Sequence, residues 1–151
     1  RVWPRGQAVV PPPEHALTVP FVEGDLLLVG YDLIWLAEAG GPTLRTVLYW
    51  EPQTTLHQEY KVSLRLLRAD GTALTWPSGE AVTADRFPLH QVTPTTTWLP
   101  AEPVRDVYDL AAPRQKVATA TTLRVILYEA ATLREVGAVE LALPPPSLVP
   151  P

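Results

Sequence analysis

Between residues 21 and 143 the hydrophobic positions recur mainly with a period of two. Tyr60, Val62, Leu64 and Leu66 alternate with Lys61, Ser63 and Arg65, the pattern of a half-buried strand, and the run stops at an Asp70-Gly71 turn. Leu123, Val125 and Leu127 alternate with Arg124, Ile126 and Tyr128, and Val139, Leu141 and Leu143 with Ala138, Glu140 and Ala142. Leu44–Trp50 is apolar on both parities apart from Arg45 and Thr46, which predicts a central strand covered on both sides. Leu26–Ala37 predicts a long strand that bends near Gly30, because a glycine inside a strand marks a bulge or a close approach. Val104–Leu110 is a further strand, bounded by Pro103 and Pro113. Turn clusters lie between these runs: Gly40-Gly41-Pro42, Pro77-Ser78-Gly79 and Thr93-Pro94-Thr95-Thr96-Thr97. Pro113–Ala120 has room for one short helical turn, and Glu129–Glu135 reads as a hairpin loop. The pattern predicts an all-β, antiparallel two-sheet β-sandwich of jelly-roll or immunoglobulin-like type, in a single domain.

Proline sharpens the boundaries. Of 18 prolines in 151 residues, five fall in residues 1–20 and five in the last eight. The body therefore carries an ordinary share, close to the usual ~5%. Residues 1–20 read as a Pro-rich N-terminal linker, 21–143 as the sandwich and 144–151 as a Pro-rich tail. The chain opens Arg1-Val2-Trp3-Pro4 and contains no methionine, so it reads as part of something longer.

Composition removes several function classes. A net charge of −4 with singly scattered basic residues does not suit nucleic acid, whose phosphates demand clustered Lys and Arg. The longest apolar stretch, Leu26–Ala37, is interrupted by Asp32 and falls short of the ~20 residues of a spanning helix. Without cysteine there is no disulfide framework, thiolate nucleophile or cysteine-built metal site. No cofactor is implied, and no phosphate-binding glycine loop is present.

Catalytic patterns are equally sparse. Ser63, Ser78 and Ser147 lie outside any Gly-x-Ser-x-Gly elbow. His15, His57 and His90 sit on separate loops without ligand spacing, so no metal site is assigned; they read as solvated. Asp106 and Asp109 have opposite parity and diverge, which does not make the facing carboxylate pair of a glycosidase. Asp106 shares parity with Val104, Tyr108 and Leu110, so it faces inward and needs an arginine or a loop amide as partner. Aromatic residues are the richer class. Trp50 and Trp98 read as core, whereas Trp76 stands at a turn and Trp35 shares parity with Tyr31 and Leu33. Trp76, Trp35 and Tyr31 are the candidate ligand-binding residues, since such rings offer broad apolar faces with a polar handle. No catalytic residue is assigned.

Several segments together carry a resemblance. They are Leu28-Val29-Gly30-Tyr31-Asp32-Leu33, Val47-Leu48-Tyr49-Trp50, Leu64-x-Leu66-Leu67-x-x-Asp70-Gly71, and Thr97-Trp98-Leu99-Pro100-Ala101-Glu102-x-Val104-x-Asp106-x-Tyr108-x-Leu110, followed by Leu127-Tyr128-Glu129. Over residues 22–143 they resemble the β-sandwich domain at the C-terminus of bacterial multi-spanning membrane proteins of the glycosyltransferase family 39 type, which are similar to dolichyl-phosphate-mannose mannosyltransferases. Ala101 and Leu133 stand where that pattern has glycine, and Glu129 where it has aspartate. The resemblance implies an extracytoplasmic, membrane-tethered accessory domain that contacts glycans or a cell-envelope polymer and contributes no catalytic residues. The competing expectation is a structural or protein-interaction sandwich with no small-molecule ligand.

Overall fold

A computed structural model describes residues 10–91 and 93–146, the side chains of His90 and Gln91 excepted. Among the described residues the chain forms eight strands: β1 (His15–Phe21), β2 (Leu26–Glu38), β3 (Gly41–Pro52), β4 (Tyr60–Arg68), β5 (Thr83–Arg86), β6 (Val104–Ala111), β7 (Ala120–Glu129) and β8 (Glu135–Ala142). They pair antiparallel in two four-stranded sheets, β1-β2-β3-β6 and β5-β4-β7-β8. Inward positions of both sheets supply the core, with Leu28, Leu48, Trp50, Val62, Leu64, Leu66, Leu123, Val125 and Leu127 all buried. The all-β sandwich expected from the alternation is the observed architecture.

The order of the strands distinguishes the two architectures expected. The chain crosses between sheets from β3 to β4 and again from β6 to β7, and β3 lies beside β6 while β4 lies beside β7. That interlocked pairing is the B–E and C–F arrangement of immunoglobulin-type sandwiches, with β8 in the place of strand G and β5 added at the free edge of β4. The scheme is immunoglobulin-like rather than jelly-roll.

β2 bends as the glycine signal predicts. The register slips between Leu28 and Gly30, so inward positions change from Leu26 and Leu28 to Tyr31, Leu33 and Trp35. β3 is covered on both faces, since the outward Val47 and Tyr49 are buried along with Leu48 and Trp50. β5 has no apolar alternation to announce it; it is a four-residue edge strand held by register with Val62–Arg65.

Both domain boundaries expected from proline need correction. β1 begins at His15, inside the stretch read as linker, and pairs with β2 through Phe21. Pro20 is tolerated there because β1 is an edge strand. Ahead of it the Pro13 ring rests on Gly30, where an added Cβ would lie 2.2 Å from Pro13 Cγ, and the Glu14 N–H donates to Asp32 at 2.6 Å. At the other end Leu143 N–H bonds Thr121 O and Pro144 O accepts from Trp35, so the fold extends into the segment read as tail. Proline count alone cannot separate a free linker from an extended segment that packs. Residues 1–9 and 147–151, which include the first part of the predicted linker, most of the predicted tail and Ser147, lie outside the described residues.

Candidate functional site

Two polar groupings stand out, one inside the sandwich and one on its surface. The first is built by β5 and β6, the edge strands on one side of the two sheets. Asp106 is fully buried, and Arg86 reaches across from the opposite sheet to it, with Nη2 3.3 Å from Oδ1. The same guanidinium donates to the carbonyls of Val107 and Phe87 and lies 3.8 Å over the Tyr108 ring. The Leu89 N–H, from a 3₁₀ turn, donates to Asp106 Oδ1 at 3.0 Å. Asp106 thus has both partners that its inward parity demanded, an arginine and a loop amide.

Burial pushes the Asp106 carboxyl up, against the opposing pull of Tyr108, Leu89 and Arg86. Burial and the neighbouring carboxylate keep the Tyr108 phenol protonated far into the alkaline range. Asp106 Oδ2, the Tyr108 hydroxyl and Thr46 Oγ1 on the adjoining strand are buried with no hydrogen-bond partner among the described residues. A cleft of about 380 Å³, lined by Ala84, Asp85, Arg86, Val107, Tyr108 and Asp109, opens beside this cluster. Arg86 bonds Asp106 and Val107 on β6 from its own strand β5, so the group fastens one sheet to the other.

The second grouping is a trough of about 600 Å³ on the outward face of β5-β4-β7-β8. Its floor is the polar-parity set of β4 and β7: Ser63, Arg65 and Leu67 with Arg124, Ile126 and Tyr128. The turn carrying Gly71 and Ala73 walls one end, and the β7–β8 hairpin with exposed Leu133 walls the other. Register places Arg65 directly opposite Arg124, two like charges on neighbouring strands. Arg65 has a single 3.4 Å bond to Ser63 Oγ, and no ion pair among the described residues holds either guanidinium, although Glu140 is opposite Arg124 on β8. Tyr128 is half-buried at the far end, its phenol raised by burial and by Asp85, with Arg65 pulling the other way. Asp85 and Glu135 complete the lining. Chemically the trough offers a doubly cationic end, a hydroxyl, and an aromatic and aliphatic end.

The aromatic candidates do not meet there. Trp35 is 5% exposed and its indole N–H donates to Pro144 O at 3.1 Å, so it is a packing residue with no free ring face; the correction follows from its inward parity after the β2 bulge. Tyr31 is half-buried with His15 stacked on it at 4.8 Å, which covers one face of its ring. Trp76 sits half-buried in the β4–β5 connection against the core rim, its backbone N–H donating to Glu80 O. None of the three lines the trough or the cleft.

Trp50 and Trp98 are core residues as expected. Ser63 lies on the trough floor and Ser78 Oγ accepts a bond within its turn. His57 is exposed, Glu59 is taken up by Thr95 and Thr96, and the His90 side chain lies outside the described residues. Among the described residues no three His, Asp or Glu side chains come together to hold a metal, and no helix is long and apolar enough to cross a membrane. Sequence reasoning missed the trough because its members are the polar-parity residues of strands distant in the chain. Their alternation was visible, but their register was not. No family model, curated protein or solved structure matches this chain.

Proposed function

We propose that this domain is a non-catalytic carbohydrate- or envelope-binding module that holds its ligand in the trough of the β5-β4-β7-β8 sheet. The observation that carries the reading is the trough itself: an open, elongated depression with an apolar and aromatic end and convergent polar groups. A binding role is favoured over catalysis by the placement of its carboxylates. Asp85 is on β5 and Glu135 on β8, three strand spacings or about 14 Å apart at the backbone, whereas glycosidase carboxyls stand about 5–9.5 Å apart. The extracytoplasmic, membrane-tethered setting rests on the resemblance of residues 22–143 to the domain of family 39-type membrane proteins. A purely structural pairing role draws less support, since the exposed large apolar residues among those described, Ile34, Leu99 and Leu133, stand on three separate segments.

Calorimetric titration against a panel of neutral and acidic oligosaccharides tests the reading. Binding is expected to weaken about tenfold in Tyr128→Ala and to survive Trp76→Ala and Trp35→Phe. Absence of saccharide binding, or binding indifferent to Tyr128→Ala and Ile126→Asp in folded protein, overturns it.

A further inference from the structure

The paired arginines go further than the general reading of the trough, and on that reading they identify the class of saccharide. Directly opposed like charges on neighbouring strands are destabilising. Here Arg65 and Arg124 face each other on the trough floor with no carboxylate within ion-pair distance among the described residues. The contrast with Arg86 is direct: that side chain is held by Asp106, two backbone carbonyls and an aromatic ring. Arg65 and Arg124 present their donors to the open depression.

We propose that the trough takes an acidic heteroglycan, with a sugar carboxylate seated between Arg65 and Arg124 and a neutral ring of the same chain lying against Tyr128 and Ile126. Guanidinium forks match the planar carboxylate, and two of them surround it with charge-assisted donors. Arg124 and Tyr128 are four residues apart on β7, about 13 Å at strand rise, so the ligand is a short stretch of oligosaccharide rather than one sugar. Asp85 and Glu135 also line the depression. Their charge selects against a chain that is anionic at every unit, and for one in which an acidic sugar is flanked by neutral ones.

The test titrates the 151-residue chain with uronate-bearing oligosaccharides from hyaluronate, glucuronoxylan and alginate. Each is set beside its carboxyl-reduced counterpart, and polyglycerol phosphate forms a separate arm. Variants are Arg65→Gln, Arg124→Gln, the double substitution and Tyr128→Ala. The expected result is binding of a mixed acidic–neutral oligosaccharide that weakens about ten- to a hundredfold on carboxyl reduction. The double arginine variant loses the same factor and no longer distinguishes the two forms, while its melting temperature holds or rises because the opposed charges are gone. Equal affinity for acidic and reduced forms, with Tyr128→Ala still disruptive, overturns this inference and leaves the saccharide reading standing. No binding of either form overturns both. Capture of polyglycerol phosphate alone through the same arginines overturns the carboxylate assignment.

Discussion

Asp106 shows how one residue's parity dictates its surroundings. A carboxylate placed on the inward face of β6 cannot remain unpaired, and the structure supplies Arg86 and the Leu89 amide. The need for a partner could be read from the sequence. Its identity could not, because Arg86 belongs to a short edge strand with no pattern of its own. Removing one member of a buried pair strands the other: Asp106→Ala is expected to cost about 3–5 kcal/mol in urea unfolding. Asp109→Ala, which breaks the exposed bidentate pair with Arg45, is expected to shift the midpoint far less.

The two aspartates also predict opposite pH behaviour. Burial raises Asp106, so folding favours its protonated form, and its contribution to stability grows as pH falls from the folded value toward the unfolded one. The Arg45 hydrogen bond lowers Asp109, so its contribution is present above the unfolded value and is lost as pH falls through the folded one. Carboxyl carbon NMR titration should place the Asp106 midpoint above the ordinary aspartate value and that of Asp109 below it. The reverse order would contradict the assignment.

At the scale of strands and turns, two glycines decide how elements meet. Gly137 in β8 lies under the Phe21 ring of β1, where an added Cβ would be 2.4 Å from Phe21 Cδ2, so this contact closes the seam between the sheets. Phe21 itself stands edge-on to Trp50 at 5.1 Å and has no room to retreat. Gly137→Ala is expected to destabilise by about 1–3 kcal/mol, and Gly30→Ala to displace Pro13 and loosen the start of β1. Gly40→Ala meets open space and should stay within about 0.5 kcal/mol. Thermal melts of the three variants check the order. The strands with strict alternation, β4 and β7, were legible from sequence, as was the bend of β2 at Gly30. The packing of Pro13–Pro20 was not, because an extended proline-rich segment has the same composition whether it is tethered or free. What distinguishes it is a glycine on another strand that lets the ring approach.

For the whole molecule, the immunoglobulin-type order of strands brings residues from opposite halves of the chain onto one surface. Arg65 and Arg124 are far apart in sequence and adjacent in space only through the β4–β7 pairing. That pairing is a consequence of the crossings between the sheets at β3–β4, β5–β6 and β6–β7, which local periodicity does not encode. Ring type, turn position and parity mark the aromatic candidates in the sequence, yet their exposure is set by tertiary packing, and Trp35 is buried in the core. The proposed binding surface falls instead on the outward-parity positions of β4 and β7. The most direct measurement is an amide NMR titration of the chain with an acidic–neutral oligosaccharide, followed residue by residue. Shifts should concentrate on 63–67 and 124–128 with the walls near Gly71 and Leu133, and collapse in the Arg65→Gln/Arg124→Gln variant. Shifts centred on Trp76 or Tyr31, or none on β4 and β7, would contradict the trough as the site of binding.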